Sequence, residues 1–256
     1  MGRRSARLAD GVCVVEGAKV LAEALDAGCR VEGLYVVAGC TDPVIERALA
    51  LGIRVHDLAP GVMEKVADTV SPQPVMAVVE SPVVGLAALA EAVRAGGFVV
   101  VGSDLRDPGN AGTVIRSAES SGAAGIVLCD GCVEATNPKT VRSSAGALFH
   151  VPIVQGGTVH EVLTTLGTWG ARRWATTARG DSVQEYDVAD LRGPTALVMG
   201  NEAHGLPEGL SDVIDGYLAI PMVGRTESLN VGMATAVLCF EAARQRRRAG
   251  VGRAPR

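Results

Sequence analysis

From residue 98 onward, short apolar runs alternate with stretches whose apolar positions recur at helical spacing. The run Phe98-Val99-Val100-Val101-Gly102 is apolar throughout, as expected for a strand that is buried on both faces. The other predicted strands are 125–128, 151–154, 173–177, 195–199 and 217–220, and the predicted helices are 113–121, 138–149, 158–166, 207–214 and 231–248. This alternation predicts an α/β fold with a mostly parallel sheet that helices cover on both sides.

Residues 12–80 show a similar alternation on a smaller scale. The spacing predicts strands at 12–15, 34–37, 53–55 and 75–79, and helices at 16–27, 43–51 and 60–70. Residues 81–85 contain Pro82 and Gly85 and are typical of a linker, and a helix is predicted at 86–95. We therefore expect a small α/β domain over residues 1–80, a linker and helix over 81–96, a larger α/β domain over 97–248 and a basic tail over 249–256.

Composition places the chain among globular proteins, because 48% of its 256 residues are apolar and 20% are charged. The net charge of −4 argues against a protein that coats nucleic acid by bulk charge. The distribution of charge along the chain weakens this argument, since residues 241–256 carry six arginines and one glutamate. This arginine-rich end is either a solvated helix end or an arm that contacts phosphates.

Several classes of protein are disfavoured. No apolar stretch approaches the ~20 residues that a membrane span needs, and residues 1–5 do not open a signal peptide, so we expect a cytoplasmic protein. The chain lacks GxGxxG and GxxxxGK[ST], which disfavours Rossmann enzymes and P-loop NTPases. Cys129 and Cys132 form a CxxC pair, which could be half of a zinc site or a redox pair. Two ordinary cysteines at a strand end are the favoured interpretation.

Chemistry-bearing residues gather in loops that follow predicted strands, where ligands bind in parallel sheets. Loop 1 (residues 103–112) contains Asn110 just before a predicted helix, and Arg116 lies one turn into that helix. Loop 2 (residues 200–207) contains Gly200, Glu202 and His204 after a fully apolar strand. Each residue alone also has a simpler explanation: Arg116 is then a surface arginine beside a helix cap, and His204 is an exposed loop residue.

Loop 3 (residues 220–230) places Ser228, Leu229 and Asn230 at the mouth of a long apolar helix. Helix capping is the alternative explanation, because serine and asparagine are good N-caps. Any one of the three loops is weak support for a site. The three loops together, in this order, are strong support.

The segments NAGTVIRSAESSGA, LVMGNEAHGLP and IPMVGRTESLNVGMATAVLCFEA resemble the three signature motifs of the SpoU (TrmH) branch of the SPOUT methyltransferases. These are S-adenosylmethionine-dependent RNA ribose 2′-O-methyltransferases, and the resemblance covers roughly residues 97–245. The segment VVEGAKVLAEAL is similar to the ribosomal-protein-like substrate-binding domain of the rRNA-modifying members, which favours 23S rRNA as substrate. A tRNA methyltransferase and a non-catalytic RNA-binding protein on the same fold are the alternatives.

The resemblance implies a C-terminal trefoil knot, a homodimer, S-adenosylmethionine as cofactor and no metal. By analogy, the catalytic residues are Asn110, Arg116, Glu202, Ser228 and Asn230. The implied cofactor-binding residues are Gly200, Ile220 and Leu229, with Thr176 and Met222 beside them.

The family proposal makes the motif-one arginine, here Arg116, the base that accepts the proton of the ribose hydroxyl. A guanidinium keeps its proton up to a pKa of about 12 or higher, so our hypothesis is that Arg116 clamps a phosphate and stabilises developing oxyanion charge.

The contacts with RNA are expected to run mainly to phosphates. Aromatic residues make up only 3% of the chain, which leaves few side chains for base stacking. The predicted phosphate ligands are Arg106, Lys139, Arg142 and the arginine-rich end. Binding of this kind weakens steeply as the salt concentration rises.

Overall fold

The computed structural model describes residues 11–67, 69, 71–177, 183–201, 205–207 and 209–250. Their N-terminal unit contains a four-stranded sheet, with β1 at Val12–Glu16, β2 at Val31–Val37, β3 at Val55–Leu58 and β4 at Val75–Glu80. The strand order is β1-β4-β2-β3; β4 is antiparallel to β1 and β2, and β3 is parallel to β2. Its helices are α1 at Ala18–Asp26, α2 at Pro43–Ala50 and α3 at Met63–Val66.

The C-terminal unit is built on an eight-stranded sheet in which every neighbouring pair of strands is parallel. The strands are β5 (Val83–Val84), β6 (Phe98–Gly102), β7 (Gly125–Leu128), β8 (Ile153–Gln155), β9 (Arg172–Thr176), β10 (Val183–Glu185), β11 (Thr195–Met199) and β12 (Gly216–Ala219). They lie in the order β10-β12-β9-β11-β6-β7-β8-β5. The parallel α/β fold predicted from the sequence is confirmed, and the knot stays a prediction.

Helices cover both faces of this sheet. They are α4 (Ala90–Arg94), α5 (Pro108–Ser121), α6 (Pro138–Ser143), α7 (Val159–Thr168) and α8 (Val231–Arg248), with 3-10 turns at Leu86–Leu89 and Ala147–Phe149. All residues of β6, β7 and β11 are buried, because apolar clusters pack on both sides of the central strands. No helix within the described ranges is long and apolar enough to cross a membrane.

Some predicted elements differ from the observed ones. The expected linker contains β5, which pairs with β8. The helix predicted at 207–214 is wrong, because the described residues of that stretch form turns, with Gly209 at a φ of +79°. The helix predicted at 138–149 ends at Ser143, because Ala145 and Gly146 adopt positive φ angles. The predicted helix at 113 begins earlier, at Pro108, because the Asp107 side chain caps it.

The topology brings the chemistry-bearing loops to one edge of the sheet. Loop 1 follows β6, loop 2 follows β11 and loop 3 follows β12. In the sheet, β12 and β11 lie on the two sides of β9, and β6 lies next to β11. The carboxyl ends of parallel strands lie at the same edge, so the three loops meet there.

Candidate active site

A cavity with a volume of about 710 Å³ lies at this edge. It is bounded by the ends of β9, β11 and β12, by loops 2 and 3 and by the start of α8. Much of the wall is apolar and includes Leu206, Leu210, Ile214, Leu218 and Leu238. Polar groups on the wall come from Thr177, Asn201, Ser211, Glu227 and Ser228. A cavity of this size and mixed lining is typical of a small-molecule site.

All five residues that the resemblance implies for the cofactor line this cavity: Thr176, Gly200, Ile220, Met222 and Leu229. The Thr176 hydroxyl donates a hydrogen bond to the Val198 carbonyl (2.9 Å), so it also ties β9 to β11. Gly200 lies against Gly205, which exchanges two backbone hydrogen bonds with Asn201, each 2.8 Å long. A Cβ on Gly200 would stand 2.6 Å from the carbonyl carbon of Gly205, so only glycine fits there without a shift of the Gly205 backbone.

A smaller cavity of about 190 Å³ adjoins the first one. Its walls come from loop 1, from Asn201 in loop 2 and from the start of α8, and they include Asp104, Arg106, Asp107 and Asn110. Asn201 and Val231 line both cavities, so the two spaces are neighbours.

Asn110 and Asn230 are in direct contact beside the smaller cavity. The Asn230 Nδ2 donates to the Asn110 Oδ1 (2.9 Å), and the Asn230 Oδ1 accepts from the backbone N–H of Gly232 (2.8 Å), which caps α8. The Asp107 carboxylate accepts from the Asn110 backbone N–H (2.8 Å). Asn110 therefore lies within the first turn of α5, and its predicted position before that helix is wrong.

The other predicted catalytic residues occupy different places. Ser228 is exposed on the wall of the larger cavity. Arg116 is exposed on α5, six residues after Asn110 and thus about 9 Å further along the helix axis. The structure assigns Arg116 no hydrogen bond or ion pair with any residue in the described ranges. Glu202 and His204 lie outside the described residues.

Two of the predicted RNA ligands flank loop 1, whereas the third lies at an internal interface. The Arg106 Nε donates to the Asp104 Oδ1 (2.7 Å), and the Lys139 Nζ stands 4.0 Å from the Asp107 Oδ2; both basic side chains are mostly exposed. Arg142 instead donates to the buried Glu16 carboxylate of the N-terminal unit (3.1 Å).

The arginine-rich end contains one buried member. The Arg246 Nη2 donates to the Gly193 carbonyl (2.6 Å), and its guanidinium lies 4.6 Å from the centre of the Phe98 ring. Burial lowers the pKa of Arg246 to about 10. Arg244 pairs with Glu241, whereas Arg247 and Arg248 are exposed; Arg253 and Arg256 lie outside the described residues. Arg246 therefore has a structural role, whereas the sequence predicted that the whole arginine-rich end binds phosphates.

Loop 1 is held by contacts that the sequence pattern does not predict. The Asn201 Nδ2 donates to the Asp104 carbonyl (2.9 Å) and carboxylate (3.1 Å), and Asp104 adopts a φ of +57°. The Cys132 thiol accepts from the Leu105 N–H and donates to the Gly102 carbonyl, each at 3.3 Å. Asparagine and aspartate favour positive φ, but a residue type alone does not identify the partner. Cys132 therefore braces the loop after β6.

The chain is similar in sequence to known proteins over most of its length. A model of the SpoU rRNA Methylase family matches residues 97–240, and a model of the MRM3-like substrate binding domain matches residues 1–77. The chain is 32% identical over 228 residues to the 23S rRNA (guanosine(2553)-2′-O)-methyltransferase RlmP of Bacillus subtilis, covering 89% of this chain and 86% of that protein. It is also 32% identical to the 23S rRNA (uridine(2479)-2′-O)-methyltransferase of Streptomyces viridochromogenes, covering 96% of this chain and 87% of that protein.

Solved structures resemble the fold over nearly its whole length. The SpoU methyltransferase AviRb from Streptomyces viridochromogenes, in complex with AdoMet, superposes with a TM-score of 0.82 at 28% identity, covering 96% of this chain and 95% of that one. An AdoMet-bound rRNA methyltransferase from Sinorhizobium meliloti gives a TM-score of 0.79 at 29% identity, covering 95% and 91% of the two chains.

Proposed function

This chain belongs to the SpoU rRNA methylase family, and from that premise we propose that it transfers a methyl group from S-adenosylmethionine to a ribose 2′-hydroxyl of 23S rRNA. The observation that carries the proposal is the pair of adjoining cavities, one large enough for the cofactor and one beside Asn110 and Asn230. We also propose that the reaction takes place in the cytoplasm. We also propose that residues 1–80 form the domain that binds the RNA substrate.

The larger cavity fits S-adenosylmethionine in size and in chemistry. Its volume of about 710 Å³ lies within the range of small-molecule sites, and its wall combines leucine and isoleucine side chains with hydroxyl, amide and carboxylate groups. In the proposed complex, backbone groups of Gly200 and Ile220 hold the nucleoside part, and Leu229 packs against it. When bound, the cofactor supplies a methyl group that its sulfonium makes electrophilic.

The work of the protein is then to place and activate the ribose hydroxyl. Asn110 and Asn230 hold each other at the smaller cavity, so either amide keeps a fixed position toward the sugar. Ser228 on the neighbouring wall supplies a hydroxyl toward the same region. Arg116 supplies a guanidinium that stabilises the charge developing on the oxygen, or clamps the adjacent phosphate. Glu202 completes the proposed catalytic residues.

The proposed function is tested by cofactor binding and by mapping of the product. Titration calorimetry with S-adenosylmethionine is expected to show one site per chain, and deletion of the gene is expected to remove one ribose methylation from 23S rRNA. The purified protein should restore that methylation in rRNA from the deletion strain. Absence of cofactor binding, or a loss of methylation confined to tRNA, would refute the proposal in its stated form.

We further propose that the protein is a homodimer through α8. Met233 (62% exposed) and Phe240 (47% exposed) lie seven residues apart on one face of this helix, with the half-buried Val237 between them. An apolar stripe of this kind is typical of an interface between chains.

The double substitution Met233→Glu and Phe240→Glu is expected to convert the dimer to a monomer, as measured by sedimentation velocity, because it buries charge in the apolar contact. Leu49→Glu is the matched control, since Leu49 is 58% exposed and lies on α2 of the N-terminal unit. Equal sedimentation of wild type and double variant would exclude this interface.

A further inference from the structure

Glu16 is a buried carboxylate that connects the two units of the chain. It ends β1 and is 7% exposed. Its Oε1 accepts from the Thr69 hydroxyl (2.7 Å) and from the Gln73 N–H (3.1 Å), both within the N-terminal unit. Its Oε2 accepts from Arg142 of α6 in the C-terminal unit (3.1 Å). A buried carboxylate requires such partners, so the approach of α6 is part of what satisfies Glu16.

A second polar contact joins the same two units. The His150 Nε2 lies 2.9 Å from the Glu23 Oε2 on α1. Gly146 packs so closely against the Glu23 side chain that an added Cβ has no room. Buried apolar residues of both units also form one continuous cluster. The interface therefore has an apolar centre and two charged or polar pairs.

The covalent connection between the units is also short, and strand pairing fixes its C-terminal end. β4 ends at Glu80 and β5 begins at Val83, so two residues separate a strand of the N-terminal sheet from a strand of the C-terminal sheet. β5 pairs with β8 through Val83 and Val84. A tether of this length leaves little freedom for one unit to move against the other.

The segment that contacts Glu16 also contacts the helix of the candidate catalytic residues. The hydroxyl of Ser143, the residue after Arg142, donates to the Pro108 carbonyl at the start of α5 (2.9 Å). Gly112 of α5 packs so closely against Ser143 that a Cβ at Gly112 would overlap it. Asn110 lies between these two contacts in α5. Helix α6 thus lies between the buried Glu16 and the turn that carries Asn110.

We propose that Arg142 is a positioning residue, whose pairing with Glu16 fixes the N-terminal unit on α6 and so holds RNA bound by that unit at one set distance from Asn110. This inference rests on the proposed function, because it concerns how the RNA reaches that site. It replaces the phosphate contact predicted for Arg142 with an internal one. The enzyme then selects RNA in which the target nucleotide and a second bound element are separated by a matching distance.

The test compares Glu16→Gln, Arg142→Met and their combination. We expect each single variant to raise KM about tenfold for a long 23S rRNA fragment, with kcat unchanged. A short RNA that carries only the target nucleotide should show no change in KM. The double variant should equal the single ones, because both substitutions remove the same contact.

Salt titration of RNA binding separates this role from a phosphate contact and does not depend on catalysis. The logarithm of the RNA-binding constant falls linearly with the logarithm of the salt concentration, and loss of one phosphate contact lowers the magnitude of this slope by about 0.7–0.9. Lys139 is the matched exposed cation of α6, and we expect Lys139→Met to lower the magnitude of the slope. Arg142→Met and Glu16→Gln should leave it unchanged. A lowered slope for Arg142→Met together with wild-type behaviour of Glu16→Gln would overturn the proposal.

The test remains informative if a variant fails to fold and if the wild type shows no methylation. If Arg142→Met does not fold, the near-isosteric Glu16→Gln carries the comparison, since its amide oxygen still accepts from Thr69. If the wild type binds RNA but methylates none, the proposed function fails, while the salt titration still reports on Arg142.

Discussion

Replacement of Arg116 by methionine is expected to lower kcat for RNA methylation by about 10²–10³-fold, the usual effect of removing one donor to a developing oxyanion. Affinity for S-adenosylmethionine should not change, because Arg116 is not among the residues that line the larger cavity. The fold should also tolerate the change, since the side chain is exposed and methionine keeps its helix propensity. Single-turnover methylation and calorimetry measure the two effects separately.

Arg116→Lys is the informative companion variant. Lysine keeps the positive charge but loses the planar, two-pronged geometry of the guanidinium. If Arg116 clamps phosphate and oxyanion, the lysine variant should keep most of the single-turnover rate at saturating RNA and bind RNA more weakly. A rate that falls as far as in the methionine variant, with RNA binding intact, would contradict the clamp and favour the role of a base.

Gly200→Ala is expected to weaken S-adenosylmethionine binding about tenfold to hundredfold. The added Cβ would lie 2.6 Å from the carbonyl carbon of Gly205, so the backbone at Gly205 on the cavity wall must shift. Overpacking of this kind costs about 1–3 kcal/mol, and each 1.4 kcal/mol corresponds to a factor of ten in affinity.

Gly224→Ala is the matched control, because a Cβ at Gly224 in loop 3 meets nothing within 4 Å. Calorimetry measures affinity, and thermal unfolding shows whether part of the cost appears as lost stability. Wild-type affinity in the Gly200 variant would show that the contact between Gly200 and Gly205 is not part of the cofactor site.

Local pattern predicted the central strands and the last helix well. β6, β7, β11 and α8 have the predicted bounds, because continuous apolar runs and a long helical repeat are strong local signals. The predicted helix at 207–214 has suitable apolar spacing, but backbone turns replace it in its described part. β5 was missed, because two valines become a strand only by pairing with β8, about 70 residues away.

The candidate site shows the same division between local and distant information. The family resemblance assigned Gly200, Ile220 and Leu229 to the cofactor site, and all three line one cavity. By contrast, the bond between Asn110 and Asn230 joins residues 120 positions apart, and the pair of Glu16 and Arg142 spans 126 positions. Residue type predicted that Arg142 binds RNA phosphate, but the partner of that charge depends on the packing of two units.

Helix α8 has a consequence for the order of folding during synthesis. Its first turn is tied to α5 through Asn230, and its last turn is tied through Arg246 to Gly193, which lies before β11. In the chain it follows all the strands against which it is held. A ribosome that delivers the chain from its N-terminus completes the sheet before α8 is available. The asparagine pair therefore forms only when this helix closes over a finished sheet, so a nascent chain without α8 lacks the assembled candidate site.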